Sequence, residues 1–127
     1  MTEAALKTAV LDAPYTTVEI DGLRTVSEAN AHEHWRKRAK RARAQRTTAC
    51  LAMRAKALPA TCGPVTVRLT RIAPRNLDSD NAVGSCKHVR DGVADWLKRN
   101  DNDPLITWLY AQEKASKRYA VRIEVFA

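Results

Sequence analysis

The sequence predicts a single α+β (mixed α/β) domain in the order β-α-β-α-β-β, with two helices packed on a small mixed sheet. Three observations carry that expectation. From about residue 30 to 57 there is no Pro or Gly, and Ala, Arg and Lys dominate, so helix propensity is high throughout. VTVRLTRI (65–72) alternates apolar and polar residues at period two, the pattern of a strand with one face toward a core. Ala82, Cys86, Val89, Val93 and Trp96 then recur at helical spacing, with Leu97 beside them, ahead of two further apolar runs.

Taken in order, 1–14 reads as a flexible or loosely packed N-terminal segment and the domain as the whole of 1–127. YTTVEIDGLRTVS is a strand followed by a turn at Asp21-Gly22. Ser27 and Asn30 are candidate N-caps for the first helix. Its apolar stripe is Trp35, Ala39, Ala42, Ala49 and Met53, with Arg46 interrupting the series. This thin, alanine-rich stripe suits close approach of another helix, a second copy of the chain being one candidate. Pro59 and Gly63-Pro64 end the unit before the strand at 65–72. The second helix is expected over about 81–98, followed by the polar turn RNDNDP. ITWLYAQE (106–113) and YAVRIEVF (119–126) read as strands forming a hairpin across KASK. All three tryptophans fit core positions better than base-stacking ones.

Composition narrows the function classes. The chain of 127 residues has a hydrophobic content of 45% and few Gly or Pro, as a folded domain does. No apolar run approaches the roughly 18–20 residues that span a bilayer. MTEAALKTAV lacks a basic n-region followed by an apolar block, so a secretory signal is not expected and a cytoplasmic location is. Cys50, Cys62 and Cys86 are odd in number and contain no C-x-x-C, which points to buried or inert thiols rather than disulfides or zinc. A net charge of +8 points to a polyanionic partner, nucleic acid being the commonest, over the plainer reading of a merely soluble basic protein. Arg36, Lys37, Arg38, Lys40, Arg41, Arg43 and Arg46 place seven cations in eleven residues of the first helix. Arg36, Lys37, Lys40, Arg41 and Arg43, with Arg68, Arg71 and Arg75, are the expected contacts to a DNA backbone.

Against that background RNLDSDNAVGSCK (75–87) stands out. From His34 to Leu77 the chain carries twelve Lys and Arg and no acid. Then Asp78 and Asp80 arrive at the end of a basic strand. Two carboxylates there can face one point and hold a hard cation such as Mg²⁺, which keeps waters for a substrate phosphate. The competing reading is a turn former and helix cap. If the second helix starts by Asp80, then Asp80, Lys87 and Asp91 lie within about 40° of one another, a polar stripe or a solvated salt-bridged face. NDND (100–103) supplies further carboxylates. Metal-assisted phosphodiester hydrolysis needs such acids inside a basic surface. His32 and His34 lie about 200° apart on a helix and do not share a metal. His88 has no second metal-ligand pair to complete a zinc site.

Asp78-x-Asp80-Asn81, then Lys87, Asp91 and an acidic turn at 100–103, resembles the RusA family of Holliday junction resolvases. KHVRDGVADWL is similar to that family's K-x-x-x-D helix, and NAHEHWRKRAKR resembles the long first helix of its phage-type members. The resemblance covers roughly 30–126, with 77–103 as its specific part. It implies a homodimeric, Mg²⁺-dependent endodeoxyribonuclease, with Mn²⁺ as a substitute metal. Such an enzyme resolves four-way junctions and other branched DNA in recombination and repair by paired nicks, leaving 5′-phosphate and 3′-hydroxyl ends. It implies a phage or prophage source acting in the host cytosol, and no membrane partner. Asp78 and Asp80 would be metal ligands, Asp101 the third with Asp103 in reserve, and Lys87 the family's functional lysine. Two departures stand: Lys87 is seven residues after Asp80 where the shorter pattern has four, and Asn100 replaces the first acid of the family's pair. The rivals are a non-catalytic junction- or DNA-binding relative and a small basic structural protein whose acids only cap a helix.

Overall fold

The computed structural model describes residues 14–28 and 34–127. The expectation for 1–14 therefore falls almost entirely outside the described residues, as do the Asn30 cap and His32.

Among the described residues the chain forms β1 (Thr16–Asp21), α1 (Trp35–Lys56), β2 (Val65–Ala73), α2 (Ser79–Ser85), α3 (Lys87–Leu97), β3 (Ile106–Lys114) and β4 (Ala120–Phe126). The result is a small α+β domain on a four-stranded mixed sheet ordered β1-β4-β2-β3. β2 and β3 run parallel, while β4 is antiparallel to both β1 and β2. The expected hairpin between the last two strands is therefore corrected. β4 inserts between β1 and β2, and β3 takes the outer edge on the far side of β2. β4 carries apolar residues at both ends and at alternate positions between them, so a central place buries more of it than an edge would. The 115–119 turn crosses the end of β2, with the Ala115 N–H donating to the Ala73 carbonyl at 3.0 Å.

One face of the sheet presents Val65, Val67, Leu69, Val121, Ile123 and Val125, all buried against α1 and α3. Each such side chain contributes about 1.5–3 kcal/mol on burial. From α3, Val89, Val93, Trp96 and Leu97 enter this core as their spacing foretold, and the Trp96 indole donates to the Ala57 carbonyl at 3.0 Å. From α1 come Ala49 and Met53. The gap that Arg46 seemed to leave is filled by Gln45, buried with its amide donating to the Arg24 carbonyl at 3.2 Å. Arg46 turns outward and pairs with Asp95 through two hydrogen bonds of 2.6 and 2.8 Å. Trp35 is corrected from core to surface, at 61% exposed, its neighbours being the polar Glu28, Lys87 and His88 rather than the core. The cap of α1 is His34, whose Nδ1 accepts from the Arg36 N–H at 3.1 Å, in place of Ser27.

α1 and α3 meet at Gly92. A Cβ there would stand 2.3 Å from the Arg46 carbonyl oxygen and 2.8 Å from the Ala49 Cβ. The opposite sheet face is a lattice of ion pairs. Arg68 binds Glu124, Arg122 binds Glu19 and Glu113, and Arg118 binds Glu19 and Asp21. The thiols are unpaired, with Cys86 buried, Cys50 half-buried and Cys62 exposed rather than buried. Among the described residues, no helix is long and apolar enough to cross a membrane.

Candidate metal and nucleic-acid site

The LDSD segment leaves the end of β2 and is clasped from the neighbouring strand. The Leu77 N–H donates to Gln112 Oε1 at 2.7 Å, and Gln112 Nε2 donates back to the Leu77 carbonyl at 2.8 Å. A side-chain amide can close such a pair because its N–H and C=O lie side by side and match the N–H and C=O that one residue presents on the same side of the chain. Gln112 thus fixes the residue immediately before Asp78. A Gln in an otherwise strand-like run was the only signal of it in the sequence.

Asp78 occupies the N-cap position of α2, yet its carboxylate makes no capping hydrogen bond. Its carbonyl accepts the Ala82 N–H at 2.8 Å. Asp80 lies in the first turn, and both aspartates are exposed. The capping role that would explain Asp78 on structural grounds is therefore not one its side chain performs. Asn81 is tied to the preceding loop, since Ser27 Oγ donates to Asn81 Oδ1 at 3.0 Å.

The single helix expected over 81–98 is two. Ser85 Oγ donates to the Ala82 carbonyl at 2.7 Å, and the Cys86 N–H reaches back to Val83 at 3.1 Å, tightening the last turn of α2. Cys86 itself leaves helical geometry at φ −93°, ψ 2°. The stripe of Asp80, Lys87 and Asp91 is consequently spread over two helices, with Lys87 exposed at the first position of α3. Beside it, His88 Nε2 stands 3.6 Å from Glu28, and Glu28 holds Arg41 through two hydrogen bonds of 2.9 Å.

The acidic turn is built for other work. Arg99, nearly buried, donates to the Ala60 and Gly63 carbonyls and to Asp103 at 2.9 Å. Asp103 Oδ1 also accepts the Leu105 N–H, and Arg99 holds its carboxyl below the usual range. Asp103 is thus committed to the turn and is withdrawn as a reserve ligand. Asp101 has its carbonyl bound by the Trp108 indole and by Arg90, both at 3.0 Å, and its carboxylate 3.3 Å from Arg90 Nε. Arg90 in turn stacks over Trp108 and donates to the Tyr110 hydroxyl at 2.8 Å. On β3 the Trp108 anchor of Asp101 and the Gln112 anchor of Leu77 are four residues apart, roughly 13 Å along the strand at about 3.3 Å each. Asp78 and Asp80 stand two residues apart at the start of α2, and Asp101 is anchored at another level of the sheet. Among the described residues no three His, Cys, Asp or Glu side chains stand where one ion could be shared.

The cationic residues divide likewise. Arg36, Lys37, Lys40 and Arg43 are exposed on α1, and Arg75 is exposed beside the LDSD loop. Arg41 is held by Glu28, Arg68 by Glu124 on the far sheet face, and Arg71 is buried with its guanidinium on the Arg75 carbonyl. Arg41 and Arg68 are thus already engaged by carboxylates, and Arg71 lies below the surface rather than on it.

No family model matches the chain, and no curated protein matches it significantly. Among solved structures the chain is similar to the GDP-form protofilament of Bacillus thuringiensis serovar israelensis TubZ, with 13% identity and a TM-score of 0.46 over 88% of this chain. The GTPγS-form protofilament gives 12% and 0.44. Thiamine monophosphate kinase from Aquifex aeolicus gives 12% and 0.41 over 98% of this chain. The chain spans 25% of the GDP-form TubZ chain and 39% of the kinase, and likeness at this level says nothing of activity.

Proposed function

We propose that this chain is a metal-dependent, structure-selective DNA endonuclease of the RusA type, acting on four-way junctions and other branched DNA as a homodimer. The observation that carries the proposal is the pair Asp78 and Asp80, two exposed carboxylates at the end of a basic strand, Asp78 free of the helix-capping bond that would otherwise account for it. Two such groups suit Mg²⁺ or Mn²⁺, which take one or two carboxylates and retain waters. When bound, the ion supplies an acidified water and offsets charge on the phosphate. The protein's own contribution is positional. Gln112 clamps the loop, Ser27 holds Asn81, and Arg36, Lys37, Lys40, Arg43 and Arg75 attract the backbone phosphates. Lys87 lies at the start of α3 with its amine available to a phosphate, while Asp101 is held by Arg90 apart from the aspartate pair.

A second reading, a junction-binding relative that does not cut, is favoured by one specific observation: Asp101 does not join the other two aspartates. The two readings separate on a synthetic four-way junction. Mg²⁺- or Mn²⁺-dependent nicking at paired positions, absent on linear duplex of equal length, is expected of the nuclease. Junction binding without nicking in either metal selects the binder, and equal binding of junction and duplex removes both.

A further inference from the structure

The segment after β1 and the end of β2 enclose a cleft of about 330 Å³ that the aspartate pair does not occupy. Arg24, Arg71 and Arg75 line it with Thr25, Ser27 and Tyr119, and among the described residues no acidic side chain does. Arg71 is only 7% exposed, and its one hydrogen bond is from Nη1 to the Arg75 carbonyl at 2.7 Å. Its Nε has no partner. Thr25, 3% exposed, likewise has an Oγ1 with no partner. The Arg24 guanidinium lies 4.6 Å over the Tyr119 ring at the rim.

A buried guanidinium without a counter-charge is costly, because desolvation of an ion amounts to several kcal/mol unless an anion offsets it. Burial pushes the Arg71 pKa down, and the nearby Arg24 charge adds to the effect. Three arginines and a hydroxyl around one space suit a group with several acceptor oxygens and more than one charge better than a lone carboxylate. We propose that this cleft binds a phosphate group, with Arg71 and Thr25 donating from its floor and Arg24 and Arg75 from its rim. Leu77 also lines the cleft, so a backbone phosphate seated there would lie next to Asp78. The pocket does not depend on metal binding or hydrolysis, and phosphate of either origin, a nucleic-acid diester or a terminal or free phosphate, meets the same donors.

The test is a titration of the full chain with inorganic phosphate at constant ionic strength against chloride, followed by the arginine Nε–H resonances. Saturable movement of the Arg71 resonance is expected. Arg24→Gln, at an exposed position, should weaken phosphate binding by about fivefold with the spectrum of the fold intact. Arg71→Met should weaken it by more than about tenfold. If that variant does not fold, the wild-type resonance and Arg24→Gln still decide. An oligonucleotide with a 5′-hydroxyl that saturates the same resonance supports the pocket and assigns it to a diester. A requirement for a 5′-phosphate supports it and assigns it to a terminal group. An Arg71 resonance unmoved by phosphate and by both oligonucleotides overturns the proposal, as does phosphate affinity unaltered in Arg24→Gln. Absence of nicking would leave each of these results standing.

Discussion

Asp78, Gln112 and Arg71 show three degrees of legibility. Asp78 stands out in the sequence as a carboxylate at the end of a long acid-free basic stretch, with helix capping as its plain explanation, and its side chain makes no capping bond. Arg71 was visible in principle: Val65, Val67, Leu69 and Arg71 are one face of VTVRLTRI at period two, so the alternation itself sends an arginine inward. Gln112 was not visible, since its partner is a backbone unit 35 residues away. The loop before α1 has a titratable tie at Glu28. Arg41 holds the Glu28 carboxyl below its ordinary value of 4.5. A depressed carboxylate contributes its stabilisation in full above that value and loses it as pH falls through the folded pKa. Glu28→Gln should therefore lower stability near neutral pH by roughly 1 kcal/mol and flatten the acid limb of the stability–pH curve below 4.5, as read by denaturant unfolding at a series of pH values. An acid limb as steep as the wild type's would show that the pair does not form.

At the scale of elements, periodicity located the four strands and α1 among the described residues to within a few positions, merged α2 and α3 into one helix, and failed where the deciding contact was distant. Nothing in ITWLYAQE or YAVRIEVF says that the two strands lie on opposite sides of β2, because that choice is made by how much surface each buries in the finished sheet. The break at Cys86 escaped notice for a similar reason: the apolar spacing from Ala82 to Trp96 survives it, and all five of those side chains are buried. Gln45 was missed because a polar residue can take a buried helical position once a carbonyl receives it. The packing of α1 on α3 depends on the missing side chain of Gly92. Gly92→Ala should destabilise the domain by about 1–3 kcal/mol in chemical denaturation, since the methyl meets backbone that cannot swing away. An unchanged midpoint would mean that the two helices are not in close contact there.

Across the whole molecule the charge is sorted rather than spread. One sheet face balances its arginines with glutamates and aspartate, whereas exposed cations on the first half of α1 and Arg75 beside the LDSD loop leave the other side positive. Composition disclosed the excess, but only the fold shows which cations are already paired. DNA binding should follow the unpaired ones. Replacing Lys37, Lys40 and Arg43 with Gln should reduce the slope of log affinity against log salt by nearly three, at about 0.9 per phosphate contact, while Arg68→Gln should leave it unaltered. A slope that responds to Arg68 instead would place the nucleic acid on the opposite face. The central claim rests on the aspartate pair, and the most direct measurement is single-turnover nicking of a four-way junction by the wild type and by Asp80→Asn in Mg²⁺, with junction affinity measured in Ca²⁺. The account predicts a loss of nicking of roughly a hundredfold or more with affinity preserved. Equal nicking by both proteins, or a wild type that binds the junction and cuts it in neither Mg²⁺ nor Mn²⁺, would contradict it.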